Sequence, residues 1–142
     1  MYEFILLPET ETSLSIIENK MPLDNENIDI THSASLKIKK DLSLSTSLLI
    51  TLSKEDNVFL ESKVELYFNF SEATLKQLKS ESKDKFTLPK DLIAHLISIV
   101  VGINRGIILC KTKEINKDFL LPLINMKELI QEDATIEISS EE

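Results

Sequence analysis

The middle of the chain alternates between apolar and polar positions in the manner of two long antiparallel strands. Apolar side chains occupy most even positions from Leu42 to Leu52, and they do so again from Val58 to Phe70. A period of two places one set of side chains on the buried face of a sheet. The polar stretch 54–57 between the two runs supplies turn chemistry, so the sequence predicts a long β-hairpin.

Shorter patterns on the N-terminal side predict further strands beside this hairpin. Leu36 and Ile38 alternate with lysines, which predicts a third strand. A fourth strand comes either from residues 2–7, which Pro8 would end, or from residues 28–31. The sequence leaves that choice and the order of the strands open.

The C-terminal half contains one long apolar segment with helical spacing. Pro89 and Asp91 suit the first turn of a helix. Apolar residues then recur on more than one side of the helix, namely at Leu92, Leu96, Ile99, Val100, Ile103 and Ile107. One sheet covers only one side of a helix. The sequence therefore predicts an oligomer, a dimer or a tetramer, in which these six residues form the interface between subunits.

The remaining segments complete an α+β fold made of a single domain over residues 1–142. Residues 72–86 predict a short helical turn and an exposed connection. Pro122 keeps residues 119–124 extended, and Asn125 caps a short last helix that starts near Met126. Residues 132–142 are acidic and predict a flexible tail.

The net charge of -8 comes from the two ends of the chain, which has 24 acidic and 16 basic residues in 142. Residues 1–34 and 128–142 each carry -6, so that residues 35–127 carry +4. A nucleic-acid-binding protein needs a basic face, and the acidic balance argues against such a partner. The chain has only 2 glycines, too few for the glycine-rich loops that bind nucleotides.

The sequence offers little material for catalysis. Its one cysteine, Cys110, ends an apolar helix and is expected to be buried and inert. His32 and His95 lack the spacing of a metal site, so we expect no enzyme, no metal and no cofactor. The only arginine, Arg105, has either an ion-pairing and packing role or a role in binding a partner.

The sequence also predicts a cytoplasmic protein without direct insertion into a membrane. The N-terminus lacks the basic and apolar regions of a signal peptide. The apolar stretch 92–103 is too short to span a bilayer.

The order of four segments resembles one known family. Val58-Phe59-Leu60-Glu61 follows the hairpin turn, and Phe86-Thr87-Leu88-Pro89 opens the long helix. An Arg105-Gly106 pair lies late in that helix, and Leu121-Pro122-Leu123-Ile124-Asn125 precedes the last helix. Over residues 42–130, this order resembles the SecB protein-export chaperones and their SecB-like relatives.

The resemblance implies an ATP-independent holdase, a dimer of dimers that binds unfolded polypeptides in hydrophobic grooves. The candidate groove residues are Phe59, Tyr67, Leu121, Leu123 and Ile124, for each of which ordinary core or subunit packing is the alternative.

The resemblance also implies further partners. In the family, an outward-facing apolar residue and a glutamate two positions later contact the SecA motor, and these correspond to Phe59 and Glu61. Some relatives of the family are chaperones of toxin–antitoxin pairs, so the resemblance implies an antitoxin as the other expected partner. The alternative function is an adaptor or antagonist that uses the same scaffold to bind one specific folded protein.

Overall fold

A four-stranded antiparallel sheet and a long helix form the centre of the molecule. The computed structural model describes residues 2–17, 28–80, 84–114, 130 and 132–138. The elements in this part of the chain are β1 (Phe4–Ile16), β2 (Asp29–Ile38), β3 (Leu44–Lys54), β4 (Asn57–Phe70), α1 (Glu72–Leu78), β5 (Lys85–Leu88), α2 (Lys90–Glu114) and β6 (Ala134–Glu137). The predicted α+β class is therefore confirmed.

The predicted hairpin is present as β3 and β4, which pair along their whole length. Glu55 and Asp56 form its two-residue turn, with φ angles of 51° and 65°. Positive φ at both central residues is typical of the type I′ turn, whose twist matches that of the flanking strands. The alternation in the sequence and the turn chemistry thus specify the same local structure.

The strand order in the main sheet is β1-β4-β3-β2, so β1 and β2 are its edges. Both N-terminal segments that the sequence offered as a fourth strand belong to this sheet, one in β1 and the other in β2. Pro8 does not end β1, although the pairing with β4 shifts between Leu6 and Thr10. A proline at a bulge in an edge strand is tolerated because no partner strand needs its missing N–H.

Helix α2 lies across one face of the sheet and contacts its two central strands, β3 and β4. Asn104 of α2 is fully buried, and its amide donates hydrogen bonds of 3.0 Å to the carbonyl oxygens of Leu48 and Ser62. The hydroxyl of Ser62 donates to the Asn104 side-chain oxygen at 2.5 Å. Because a buried amide is costly unless it is bonded, this network fixes the position of α2 on the hairpin.

The core lies between α2 and the even-numbered positions of the sheet. Its largest fully buried side chains are Phe59, Phe68, Leu44, Leu48, Ile50, Leu52, Leu60, Leu66, Leu78, Leu88, Leu96 and Ile108. Apart from Phe59, the sheet residues in this set follow the alternation that the sequence shows. The odd-numbered positions form the opposite face, which carries polar side chains and is called the open face below.

A second, two-stranded sheet pairs β5 with β6 in antiparallel fashion. Ile138 extends it by a parallel bridge to Ile38, at the end of β2. The prediction of a flexible tail is wrong for residues 134–138, because Ala134, Ile136 and Ile138 pack against the core. The predicted last helix from Met126 and the extended segment 119–124 lie outside the described residues, as do residues 139–142.

Candidate functional site

Phe59 is not exposed, contrary to what the strand alternation predicted. Its exposed fraction is 0%, and it belongs to the core. Ser53 pairs with Val58 while Leu52 pairs with Leu60, so Phe59 is an extra residue in β4 with no residue opposite it in β3. Such a β-bulge redirects a side chain and interrupts the alternation of faces. Phe59 is therefore unavailable to a client or to a motor protein in this structure, and the prediction of an accessible Phe59–Glu61 pair is wrong.

Glu61 is exposed on the open face, two residues from the bulge. It pairs with Ser15 of β1 and with Thr51 of β3. The sequence correctly placed Glu61 on the outer side of the sheet, and the structure separates it from the buried ring of Phe59. The groove candidates Leu121, Leu123 and Ile124 lie outside the described residues.

Tyr67 lies half-buried on the open face, where the sequence placed it. The Nζ atom of Lys39 is 4.9 Å from the centre of its ring, in a cation–π contact. Burial, a hydrogen bond with Glu65 and the negative charges of Glu65, Glu11 and Glu9 raise the pKa of Tyr67 to about 12. Tyr67 is therefore a neutral hydrogen-bond donor at neutral pH, held among carboxylates.

A depression of about 540 Å³ lies beside Tyr67 on the open face. The bulged segment Leu7-Pro8-Glu9 lines it together with Asn69 and the turn after β2. Ser45 donates a hydrogen bond of 2.6 Å to Glu65, which holds this neighbouring carboxylate in place. The lining mixes apolar surface with three carboxylates and one lysine, so the depression is acidic rather than purely hydrophobic, unlike the groove that the resemblance implied.

Three of the six residues predicted for a subunit interface are buried inside the subunit. Leu92, Leu96 and Val100 have exposed fractions of 4%, 0% and 0%, because they pack within the core between α2 and the sheets. The prediction is wrong for these three residues, whose side chains leave almost no surface for another subunit. Ile99 and Ile103 are half-buried, as is Ile107, so these three remain partly accessible.

The outward side of α2 is lined by small residues rather than large apolar ones. Ser98, Gly102, Gly106 and Cys110 follow one another at intervals of four residues, and all four are exposed. A Cβ atom added at Gly102 or Gly106 would meet no atom of the described residues within 4 Å. Sequence reasoning missed this line, although its four-residue spacing was visible.

The exposed large hydrophobic residues of the described chain all belong to β1 or its immediate flanks. They are Tyr2 (37% exposed), Ile5 (64%), Leu6 (47%) and Ile17 (39%). Sequence reasoning treated the segment around Ile5 as an ordinary strand. Only the position of β1 at the edge of the sheet makes these side chains accessible, and that position was not readable from the pattern.

Among the described residues, no strand pairs with the second side of β1, so its backbone is also open there. The N–H of Ile17 donates to the carbonyl of Phe59 at 2.9 Å, and Ser71 donates to the carbonyl of Glu3 at 3.0 Å. Because alternate residues of an antiparallel pair bond to the partner, the odd-numbered residues of β1 face β4. The even-numbered residues therefore direct their N–H and C=O groups toward the free edge, except at Pro8, which has no N–H.

The titratable residues that could support catalysis are far apart. Cys110 is exposed, which corrects the prediction of a buried thiol. It lies 15 residues beyond His95 on α2, or roughly 22 Å along the helix axis at ~1.5 Å per residue. His95 instead packs edge-on against Phe4, with 5.7 Å between the ring centres. Among the described residues, no cluster of three or more His, Cys, Asp and Glu side chains could hold a metal ion.

Burial lowers the pKa of His32 on β2, and the positive charge of Arg105 on α2 lowers it further. The charge of Arg105 therefore disfavours protonation of His32.

Helix α2 is long and apolar enough to cross a membrane, judged only by the length and composition of residues 90–113. Half of that segment is buried inside the protein, and core helices of soluble proteins pass the same test.

Comparisons with known protein families, with curated proteins and with solved structures find no match for this chain.

Proposed function

We propose that this chain is an ATP-independent holdase chaperone that binds unfolded or non-native polypeptides, in protein export or beside a toxin–antitoxin pair. The observation that carries the proposal is that the exposed large hydrophobic side chains of the described residues lie on or beside the edge strand β1, with Tyr2, Ile5 and Leu6 together at one end. Soluble monomers rarely leave contiguous apolar surface open without a use for it. The hairpin and the long helix that starts after Pro89 also follow the order of elements that the resemblance to SecB implied.

The edge of β1 suits an extended chain of unspecified sequence. A client strand added beside β1 would form backbone hydrogen bonds with the even-numbered residues of β1, as in β-augmentation. Ile5 and Leu6 would add apolar contact on the two sides of the sheet, at roughly 25 cal/mol per Å² of buried area. Backbone pairing and apolar burial both give affinity without reading a particular sequence, as a holdase requires.

In this proposal, the chain acts as a homo-oligomer, either a dimer or a tetramer. Two copies of α2 could approach closely along Gly102 and Gly106, because small residues bring helix backbones near one another. Glycine in a helix interior costs about 1 kcal/mol relative to alanine, and the packing within one subunit does not require it at either position. Ile99 and Ile103 would then flank the contact. Native mass spectrometry reports the number of subunits, and a stable monomer at micromolar concentration would contradict this part of the proposal.

An aggregation assay tests the holdase proposal. A denatured client is diluted into buffer with a stoichiometric amount of the protein, and aggregation is followed by light scattering. We expect the unmodified chain to suppress aggregation and the Ile5→Lys/Leu6→Lys variant to lose most of that effect. Ser33→Lys/Ala34→Lys places the same two charges on the other edge strand, where both residues are exposed, and should retain full suppression. Undiminished aggregation with the unmodified chain would refute the proposal.

A specific adaptor or antagonist remains the second candidate, and the open face supports it. Lys39, Tyr67, Glu65 and Ser45 contact one another there in one ordered polar network. Ordered polar side chains on a flat sheet suit a folded partner better than an unfolded chain. Pull-down from a lysate separates the two functions: many unrelated non-native proteins support the holdase, whereas one dominant folded protein supports the adaptor.

A further inference from the structure

An apolar groove of about 380 Å³ lies at the end of the molecule where α1 meets β5. Its apolar lining comes from Leu42, Leu75, Phe86 and Ile138. These four residues come from the β2–β3 turn, from α1, from β5 and from the residue after β6. The groove is therefore assembled by the tertiary fold, and it shares no residue with the apolar edge of β1.

Leu42 enters this groove from a strained backbone position. Its φ angle is 68°, in the left-handed region that favours glycine. The turn that holds it is well bonded: the N–H of Leu42 donates to the carbonyl of Lys39 at 2.9 Å, and the carboxylate of Asp41 accepts from the N–H of Ser43 at 3.0 Å. Glycine or asparagine would form this turn with less strain. The chain thus keeps a large apolar side chain where the backbone disfavours one, and strained residues of this kind concentrate at ligand sites.

The rim of the groove carries more positive than negative charge. Lys76 and Lys79 stand on the α1 side, with Glu72 one helical turn before Lys76. All three side chains are exposed. A ligand with apolar side chains for the floor and carboxylates for the two ammonium groups would match both the lining and the rim.

We propose that this groove binds a short apolar segment of a partner polypeptide that is flanked by acidic residues. The apolar side chains occupy the space among Leu42, Leu75 and Phe86, and the flanking carboxylates pair with Lys76 and Lys79. The groove is an open depression rather than an enclosed cavity, so it accepts side chains presented by a longer chain. This interaction goes beyond holdase activity, since it selects a partner by charge and does not involve β1.

Peptide binding measured by fluorescence anisotropy tests the proposal on the full-length protein. The probes are two labelled peptides with the same Leu-Phe-Leu centre, one flanked by aspartate and glutamate and the other by lysine. We expect the acidic peptide to bind roughly tenfold more tightly than the lysine peptide at low salt. Equal affinity of the two peptides, or no binding of either at millimolar concentration, would overturn the proposal.

Two variants locate the binding. Leu42→Gly removes the side chain from the groove and relieves the strained backbone, so it should stay folded and weaken acidic-peptide binding about tenfold. Lys76→Glu/Lys79→Glu should reverse the preference toward the lysine peptide. Lys63→Glu, on the exposed surface of β4, is the matched control and should change neither affinity. Affinity unchanged in both groove variants would place the binding elsewhere and overturn the proposal.

The same variants separate this groove from the proposed holdase site. If Leu42→Gly suppresses client aggregation as well as the unmodified chain while losing the acidic peptide, the two surfaces act independently, as we propose. If Ile5→Lys/Leu6→Lys abolishes acidic-peptide binding, the peptide occupies β1 and the proposal for the groove is wrong.

Discussion

The two edge strands of the main sheet, β1 and β2, differ in the side chains that they expose to solvent. On and beside β1, the exposed large apolar residues are Tyr2, Ile5 and Leu6 at one end and Ile17 at the other, whereas the exposed positions between Glu9 and Ser15 are polar. On β2 the exposed positions are polar or small, namely Asp29, Thr31, Ser33, Ala34, Ser35 and Lys37. Both strands are long, and both lie beside a central strand of the same hairpin. The difference is therefore one of side-chain chemistry rather than of topology.

The comparison shows how one edge of a sheet can be protected against pairing with another chain while the other edge stays available for binding. Polar side chains, an inward-facing His32 and the bridge from Ile38 to Ile138 protect β2 against unwanted pairing. On β1 the bulge at Pro8 interrupts pairing only in the middle of the strand. Ile5 and Leu6 before that bulge and Ile17 after the end of the strand remain accessible, which suits a binding edge.

The largest effect on stability is expected for a mutation at the centre of the sheet. We expect the packing of α2 on β3 and β4 to stabilise the fold independently of both edge strands. Asn104→Ala removes the hydrogen bonds to Leu48 and Ser62 and leaves the buried Ser62 hydroxyl without its acceptor. The free energy of unfolding should fall by about 2–3 kcal/mol. Urea denaturation measures it, with the exposed Asn69→Ala as the matched control. If Asn104→Ala lowers the free energy of unfolding no more than the control does, the hydrogen bonds at the centre of the sheet do not carry the stability that we assign to them.

A transplant of apolar residues from one edge to the other tests whether exposure alone explains binding. Thr31→Ile/Ser33→Ile makes the exposed surface of β2 resemble that of β1. Introduced into the Ile5→Lys/Leu6→Lys variant, these changes should restore part of the aggregation suppression. Complete failure to restore it, with the fold intact by circular dichroism, would show that β1 contributes something besides its exposed apolar side chains.

A smaller effect is expected from pH, and it arises on β2 at His32. Because burial and Arg105 lower the pKa of His32 in the folded state, the unfolded chain takes up a proton first as the pH falls. The stabilising contribution is present above pH ~6.5, the ordinary histidine value, and is lost progressively below it. His32→Gln should therefore flatten the decline in stability between neutral and mildly acidic pH. If stability declines equally steeply in the His32→Gln variant, titratable groups other than His32 cause the decline.

The smallest effect is expected for Tyr67, which reports on the open face between the two edges. In the Tyr2→Phe variant Tyr67 is the only tyrosine. Its phenolate absorbance should appear with a midpoint near pH 12, since the folded environment raises its pKa to about 12. Stability should decline between pH ~10, where the unfolded chain ionises, and that midpoint. A midpoint near 10 in the folded protein would mean that Tyr67 lacks both the burial and the acidic surroundings described above.

The local elements of the fold were predictable from the sequence, whereas the details of the edges were not. Alternation over residues 42–70 and the polar turn specify the hairpin, because both signals depend on near neighbours. The pairing of β5 with β6 joins residues about fifty positions apart, and no local pattern encodes it. Pro8 suggested the end of a strand, yet an edge strand lacks the second partner that would need its N–H.

The candidate site was predicted less well, for reasons that Phe59 and Ile5 illustrate. Three apolar residues, 58–60, occur in a row, so the sequence does not reveal which one is the extra residue of the bulge. The exposure of Ile5 depends on the order of the strands, which only the assembled sheet defines. Tyr67 and Glu61 were placed correctly because the alternation is uninterrupted from Leu60 to Phe70.

Residue-resolved hydrogen exchange with and without an unfolded client tests the central claim most directly. The amides of Thr10, Thr12, Leu14 and Ile16 point toward the free edge of β1, whereas their odd-numbered neighbours already bond to β4. We predict that client binding slows exchange at these even-numbered amides and leaves the exposed edge of β2 unchanged. Slowed exchange on β2 alone, or none on β1 while the client is bound, would contradict the account.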